Sequence, residues 1–362
     1  MSLSEHRQAI DKLDAQIVRL LNDRTRHVLA IGEIKLAAGE EIYAPHRERA
    51  VFERVCARNA GPITNEQLRT IYREIMSSAL ALEKTMTIAY LGPEATFTHQ
   101  AAIKRFGSSL KYASQKTIAD VFTEVTKKIA DYGVVPVENS TEGVVTHTLD
   151  MFVDSDLKIV SQIVLPISFC LAAKSPSVKT AEIRKLFAHP QAMAQCRSWI
   201  QKNLPSVEII ETSSNAQSAL STAYLRKPKE ILHIVAVTGI LAAEKYGLRI
   251  LEQDIQDNAA NATRFLVLGR QCSPSTGDDR TSLMLSVADK AGALHEAIAA
   301  FRKFKINMTK IESRPSKRKA WEYFFFIDCA GHYQDAKVAK AIQHLGKHCN
   351  FVKILGSYPN VD

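Results

Sequence analysis

Residues 133–143 read Gly-Val-Val-Pro-Val-Glu-Asn-Ser-Thr-Glu-Gly, an apolar strand that stops abruptly in polar side chains, with a glycine at each end of the stretch. A strand that merely turns needs one or two turn formers, whereas Glu138, Asn139, Ser140, Thr141 and Glu142 all follow this one. Open α/β sheets place ligand sites at the carboxyl ends of their strands. The stretch therefore predicts a buried strand with a binding site at its exit.

Outward from it, strands and helices alternate from residue 87 to about residue 270, the signature of parallel α/β sheets. Strands are expected at 87–91, 132–137, 186–188, 207–210, 231–236 and 264–268. Helices are expected to begin at Thr117, Thr146, Pro190, Asn215 and Thr238, where capping residues or a first-turn proline stand. The β-rich run 158–173, interrupted by Pro166, reads as a crossing between two α/β lobes with a cleft between them.

Upstream, residues 4–85 read as entirely helical. Leu3, Ile10, Leu13, Ile17, Leu20, Leu21, Val28, Ile31 and Ile34 recur at three- and four-residue steps without proline, predicting one helix of about 30 residues. Gly39 breaks it, a second helix is expected over 46–58, and Gly61-Pro62 punctuates again. Thr64 and Gln67 form a capping box for a third helix reaching Lys84. Three helices, one so long, bury an apolar stripe poorly alone, so an intertwined dimer is expected. Arg24 and Lys35 return to within about 20° of one helix face. Arg7 lies about 25 Å from Arg24 along the axis and is rotated by about 100°, so it reaches the same pocket only from another protomer. Taken singly, these cations read as solvated charges.

Downstream, Cys-Ser-Pro-Ser-Thr-Gly-Asp-Asp at 272–279 is a turn-former-rich linker. Beyond it the pattern predicts a strand at 281–287, a helix at 292–304, strands at 307–313 and 321–329, a helix at 334–347 and a strand at 351–355. That βαββαβ order is ferredoxin-like α+β.

At 362 residues and 46% hydrophobic content the chain has material for two or three cores, and no stretch approaches the roughly 20 apolar residues of a membrane span. The opening Met-Ser-Leu-Ser-Glu-His-Arg shows no secretory signal. Six scattered cysteines lack paired or metal-ligand spacing and read as reduced thiols in a cytoplasmic protein, with no metal or cofactor. Of the formal charge of +9, most comes from residues 281–362, with 13 Lys and Arg against 7 Asp and Glu. The densest cluster, Lys317, Arg318 and Lys319, reads as a solvated hairpin turn, and no aromatic interleaving points to nucleic acid.

Arg7, Leu-Asn-Asp-Arg24, Ile-Gly-Glu-Ile-Lys35, Pro-His-Arg47-Glu48-Arg49 and Leu82-Glu83 together resemble the all-helical chorismate mutases. That family performs an intramolecular Claisen rearrangement of chorismate to prephenate, needing neither nucleophile nor metal. The resemblance implies that Arg24 and Arg7 of a second protomer grip carboxylates, Lys35 and Glu83 face the ether oxygen, and Arg47 supports orientation. Some members carry aspartate where this chain has Ala44, which leaves backbone or Glu48 to bind a substrate hydroxyl. Others carry glutamine at the Glu83 position, and a glutamate can donate to the ether oxygen only when protonated.

Gly-Pro-Glu-Ala-Thr-Phe-Thr-His-Gln-Ala-Ala at 92–102, the 133–143 stretch, His189-Pro190-Gln191-Ala192 and Asn261-Ala262-Thr263-Arg264-Phe265 resemble prephenate dehydratase. Ala95 stands where glycine is commoner, which matters if the turn needs positive φ. The resemblance gives Thr263 the leading role in expelling the ring hydroxyl of prephenate as its carboxylate leaves as carbon dioxide. Glu138 would supply or orient a proton. Thr96, Thr98, Asn139 and Ser140 would donate to substrate oxygens, and Arg264 would hold a carboxylate or form a structural ion pair. Gln191 would bind substrate or cap its helix, and Phe265 would line the site. The expected fold is a two-lobed α/β region laid out like a periplasmic binding protein.

Gly292-Ala293-Leu294-His295 and Glu312-Ser313-Arg314-Pro315 resemble the regulatory ACT domains of prephenate dehydratases, which bind phenylalanine between paired domains. Gly292, Ala293, Leu294, Glu312, Ser313, Arg314 and Pro315 are the expected effector contacts. The expected division is 1–85 helical mutase, 86–270 dehydratase and 280–362 regulatory domain, in a homodimer or higher homo-oligomer that takes chorismate and prephenate as substrates and phenylalanine as allosteric effector. Two other readings stand beside it: a dehydratase whose helical segment mainly dimerises, and a non-catalytic amino-acid-responsive binding protein.

Overall fold

Ser2 and Glu5 start the longest helix with a reciprocal cap: Glu5 N donates to Ser2 Oγ at 3.3 Å, and Ser2 N donates to the Glu5 carboxylate at 2.6 Å. A computed structural model of the chain describes residues 2–317 and 322–360. Arg318 and Lys319 of the basic turn and Trp321 of an expected strand lie outside these residues. Contacts divide the chain into two compact units, one formed by Met1–Thr87 with Arg105–Lys111 and the other by Ile88–Lys104 with Tyr112–Asp362. No helix among the described residues is long and apolar enough to cross a membrane.

The first unit holds α1 (Leu3–Ala37), α2 (Pro45–Ala57) and α3 (Asn65–Glu83). At 35 residues α1 outruns the expected length. Thr64 and Gln67 cap α3 reciprocally, as their spacing requires. Gly32 is the buried residue of α1, and the reason is close approach: a Cβ there would stand 2.8 Å from Glu83 Oε2. The apolar stripe of α1 stays bare, with Leu3, Ile10, Leu13, Ile17, Val18 and Leu20 between 52% and 69% exposed.

From Thr87 the chain runs through β1 (Thr87–Leu91), α4 (Phe97–Phe106), β2 (Lys111–Gln115), α5 (Ile118–Thr126), β3 (Tyr132–Asn139), β4 (Gly143–Val144), α6 (Thr146–Met151) and β5 (Lys158–Pro166). The chain then leaves for β6 (Cys170–Ala173), β7 (Lys185–Ala188), α7 (Pro190–Gln195), α8 (Arg197–Asn203), β8 (Glu208–Glu211), α9 (Asn215–Ala223), α10 (Pro228–His233), β9 (Ile234–Thr238), α11 (Ile240–Lys245) and β10 (Arg249–Glu252). It returns in β11 (Ala262–Gly269). One sheet has the order β2-β1-β3-β11-β5, with β4 paired to β3, and a second has the order β10-β6-β9-β7-β8.

These sheets are mixed where parallel ones were expected. β1 and β3 are parallel, as are β7 with β8 and with β9, but β11 lies antiparallel to both β3 and β5. The cause is the return path. The chain exits after Pro166 and re-enters at Ala262 at the same end of the sheet, where Ile167 N donates to Asn261 O at 2.8 Å. β11 must therefore run back along β5. Two local boundaries also differ: Pro228 starts a helical turn through His233, so that strand begins only at Ile234, and Thr238 closes it with α11 beginning at Ile240.

The last segment is β12 (Asp279–Ser286), α12 (Ala293–Lys303), β13 (Met308–Pro315), β14 (Tyr323–Ala330), α13 (Ala336–Gly346) and β15 (Phe351–Pro359). It forms an antiparallel sheet of order β13-β14-β12-β15. Its residues Met284, Phe324, Phe326, Leu355 and Tyr358 share one core with Val135, Val137, Leu266 and Leu268 of the first sheet. β15 crosses β5 backbone to backbone: a Cβ on Gly356 would stand 2.2 Å from Ile159 O. Gly356→Ala should destabilise the protein by about 1–3 kcal/mol, the usual range for overpacking. Gly346→Ala, with open space at its Cβ, should stay within about 0.5 kcal/mol. Thermal unfolding of the two variants side by side measures the difference.

Candidate functional site

In the first unit, α1 carries Arg24 and Lys35 eleven residues apart and α3 ends at Glu83. Burial raises the Glu83 carboxyl above the usual carboxylate range, against the pull of Lys35 and then Arg24, so both cations face it. Lys35 Nζ also donates to Ile42 O at 3.0 Å. Arg24 Nη1 is buried without a hydrogen-bond partner among the described residues, a cationic donor that an anion would satisfy. Arg47 is exposed, and Arg7 is exposed near the far end of α1. His46, which the sequence reading passed over, sits beside Lys35 and Arg47. Burial and those two cations lower its pKa, and its Nδ1 has no partner among the described residues. Glu48 stands with the backbone as one of two expected partners for a substrate hydroxyl. It is found 8% exposed with Oε2 shared by Arg73 and Arg105, each at 3.1 Å, while Arg105 Nε donates to Tyr43 Oη at 2.6 Å.

In the second unit the end of β3 and the start of β11 are register partners, Asn139 with Thr263 and Glu138 with Arg264. Asn139 Oδ1 accepts from the backbone N–H groups of Thr141 at 2.9 Å and Glu142 at 3.0 Å. Those donors fix the amide orientation. Nδ2 then donates to Thr263 Oγ1 at 2.8 Å and Asn261 Oδ1 at 3.0 Å. Thr263 oxygen is thus an acceptor in this network, and its own proton is left to donate elsewhere. Asn261, 2% exposed, extends the network through Nδ2 to Gln195 Oε1 at 2.8 Å, and Gln195 Nε2 reaches Glu142 at 3.3 Å. Ser140 clips the loop to β11, its N donating to Ala262 O at 2.9 Å and its Oγ accepting from Ala262 N at 3.0 Å.

Strand alternation turns Glu138 and Arg264 to the opposite face from Asn139 and Thr263. The register shift between Arg264 and Phe265 marks a bulge at this strand end, a device that re-aims side chains. Arg264 Nη2 pairs with Asp328 at 2.7 Å and Nε lies 3.7 Å from Glu138, whose carboxylate also accepts from Lys310 Nζ at 2.7 Å. Burial works against the Arg264 charge, but Asp328, Tyr358 and Glu138 outweigh it and hold its pKa above the usual value. Arg264 is thus held in an ion pair with Asp328. Glu138, expected to serve Thr263 with a proton, points away from it. Phe265 is 1% exposed and packs in the core.

The 92–96 loop joins β1 to α4, whose first turn carries Thr98 and His99. Thr96 Oγ1 donates to Leu91 O at 3.1 Å, Thr98 is 5% exposed, and Ala95 takes φ 64°, the left-handed conformation for which glycine is better suited. His99 accepts from Ala95 N at 3.1 Å and stacks on Tyr90 at 4.4 Å. Gln191 is exposed on α7, and its N donates to the His189 ring at 3.3 Å, so His189 caps that helix. Asn215 Oδ1, at the start of α9, is buried without a partner among the described residues. In the last segment Gly292 precedes α12, with Ala293 buried and Leu294 half-buried, and residues 312–315 end the edge strand β13. Glu312 and Arg314 are half-buried, Ser313 and Pro315 exposed. Arg314 Nε lies 3.3 Å and Lys317 Nζ 2.7 Å from Asp150 of α6.

The geometry gives the helical segment a cluster of cations about a carboxyl and the α/β segment a hydroxyl–amide pair at a strand end, and comparison with known proteins assigns each segment to a family. Residues 6–84 match the model for chorismate mutase type II, 88–273 that for prephenate dehydratase and 281–346 that for the ACT domain. The chain is 49% identical to the bifunctional chorismate mutase/prephenate dehydratase of Aquifex aeolicus over 99% of its own length and 98% of that protein's. It is 45% identical to the enzyme of the same name from Neisseria gonorrhoeae, over 99% and 97%. A solved prephenate dehydratase from Arthrobacter aurescens, in complex with L-Phe, is similar at 34% identity and TM-score 0.69, covering 76% of this chain and 90% of that one. The chain belongs to the bifunctional chorismate mutase/prephenate dehydratases, enzymes of phenylalanine biosynthesis that rearrange chorismate to prephenate and convert prephenate to phenylpyruvate.

The raised Glu83 pKa gives the mutase a pH signature. A carboxyl can donate a hydrogen bond only when protonated, so kcat/KM for chorismate should fall as pH rises through the Glu83 titration, which burial moves above the ordinary carboxylate range. Glu83→Gln should lose that limb, and an initial-rate profile of both proteins checks it.

Proposed function

We propose that the chain works as three functional parts, a mutase over 1–85, a dehydratase over 86–270 with two α/β lobes about a cleft, and a ferredoxin-like ACT domain over 280–362. A cytoplasmic location fits the six free cysteines. In the mutase, Arg24 and Arg7 of a second copy hold the carboxylates of chorismate, and Arg47 supports its orientation. Lys35 and protonated Glu83 donate to the ether oxygen as the C–O bond breaks and the new C–C bond forms. Holding a flexible dicarboxylate in its reactive shape and stabilising charge on that oxygen supply the acceleration. The bare apolar stripe of α1 supports pairing with a second copy, and the distance between Arg7 and Arg24 supports a shared site. The buried triad at Glu48 gives that residue a supporting task beneath the substrate.

The observation that carries the dehydratase half is the Asn139 amide donating to Thr263 Oγ1. An alcohol whose oxygen accepts a hydrogen bond becomes a better donor. Thr263 therefore directs its proton at the ring hydroxyl of prephenate. Decarboxylation breaks the C–CO2 bond, its electron pair aromatises the ring, and the C–O bond breaks with the hydroxyl leaving as water on the proton from Thr263, which solvent replaces. Thr96, Thr98, Ser140 and Gln191 contribute to the walls around substrate oxygens. The ACT part binds phenylalanine through 292–294 and 312–315, a reading that the L-Phe complex of the Arthrobacter aurescens relative supports, and bound phenylalanine lowers dehydratase turnover.

Thr263→Ala should abolish phenylpyruvate formation while mutase turnover remains measurable. Asn139→Ala should lower dehydratase kcat by about 100-fold, the usual worth of one placed donor. Both are read by following chorismate, prephenate and phenylpyruvate over time. Mixing inactive Arg7→Ala and Lys35→Ala chains should restore mutase activity through heterodimers, whereas no recovery would exclude the shared site.

A further inference from the structure

β13 is the edge strand of the third sheet and carries residues 312–315 at its end. Its exposure alternates, with Lys310, Glu312 and Arg314 half-buried and Thr309, Ile311 and Ser313 exposed, so those three share the covered face. Two of them end on the dehydratase segment. Lys310 Nζ donates to Glu138 at 2.7 Å, and Arg314 pairs with Asp150 at 3.3 Å, where Lys317 joins at 2.7 Å. Glu138 is the residue before Asn139, and Asp150 lies in α6, the helix entered directly from the 140–145 loop. The two ion pairs therefore stand on either side of the loop that holds Asn139 and Ser140.

We propose that β13 clamps this loop at two points, with Lys310 and Asp150 as positioning residues for the dehydratase site, and that an amino acid bound against residues 312–315 acts on Asn139 by loosening the clamp. The inference rests on the phenylalanine reading above. The pairs suit a switch because they are only partly buried, with side-chain exposures of 14% and 38% for Lys310 and Glu138 and 22% and 20% for Arg314 and Asp150. Such pairs are easily exchanged. Arg264 with Asp328, exposed only 14% and 8%, is the fixed anchor between them and the shared core. A coupling of about 5-fold, the low end of typical allosteric links, is within reach of two such pairs.

The test uses full-length enzyme carrying Lys310→Met, Asp150→Asn or Lys310→Arg. Each is assayed for prephenate turnover with and without phenylalanine, and for phenylalanine binding by equilibrium dialysis. At saturating phenylalanine, Lys310→Met and Asp150→Asn should retain at least about five times the fraction of uninhibited activity that wild type retains. Their phenylalanine Kd should stay within about twofold of wild type, and Lys310→Arg should behave as wild type. Inhibition equal to wild type in both charge-removing variants overturns the clamp, as does loss of inhibition in proportion to lost binding. Phenylalanine without effect on the wild-type dehydratase would instead overturn the effector reading itself, and the clamp with it.

Discussion

The antiparallel pairing of β11 with β3 brings together groups that are 124 residues apart in the chain, and the layout of both faces at this strand end follows from it. On one face the register sets the Asn139 amide against the Thr263 hydroxyl. On the other, the same two strand ends present Glu138 and Arg264 to the last segment. A one-residue slip would exchange the two faces, putting the ion pair where the hydroxyl–amide pair belongs. The ladder of β11 with β5, running from Ala262 to Gly269, fixes the register from the other side.

The division of labour between those faces explains why the last segment shares a core with the first sheet instead of hanging from a linker. Met284, Phe324, Phe326, Leu355 and Tyr358 bury apolar surface against Val135, Leu266 and Leu268, and each fully buried large side chain contributes about 1.5–3 kcal/mol. Arg264 and Asp328 lose water in the same contact, and their charge pairing offsets much of that cost without making them the source of adhesion. The apolar area holds the sheets together, whereas the charged groups set how they are aligned.

Local signals in the sequence translated into structure faithfully. Thr64 with Gln67, Thr117 and Pro190 start helices where capping chemistry places them, and the alternation after residue 279 yields the βαββαβ order. What local pattern could not reveal was direction and facing. Nothing in residues 262–269 states that they insert between two strands formed over 90 residues earlier, so the sheet reads as parallel until the return path is known. β2 and β10 escaped notice because edge strands such as Lys-Tyr-Ala-Ser-Gln and Arg-Ile-Leu-Glu carry little apolar run. The resemblance named Thr263, Asn139 and Glu138 together, and the structure joins the first two by a hydrogen bond while the Glu138 carboxylate meets Lys310 on the other face. Asn261 stood within a quoted motif, and only its burial between Asn139 and Gln195 shows what it does.

The two passages of the chain between the first and second sheets run side by side and are hydrogen-bonded to one another through Ile167 and Asn261. Asn261 also braces Asn139. The double crossing between the sheets therefore also supports the hydroxyl–amide pair. A change in the angle between the sheets would shift Asn261 and, through the Asn139 amide, the hydrogen bond at Thr263 Oγ1.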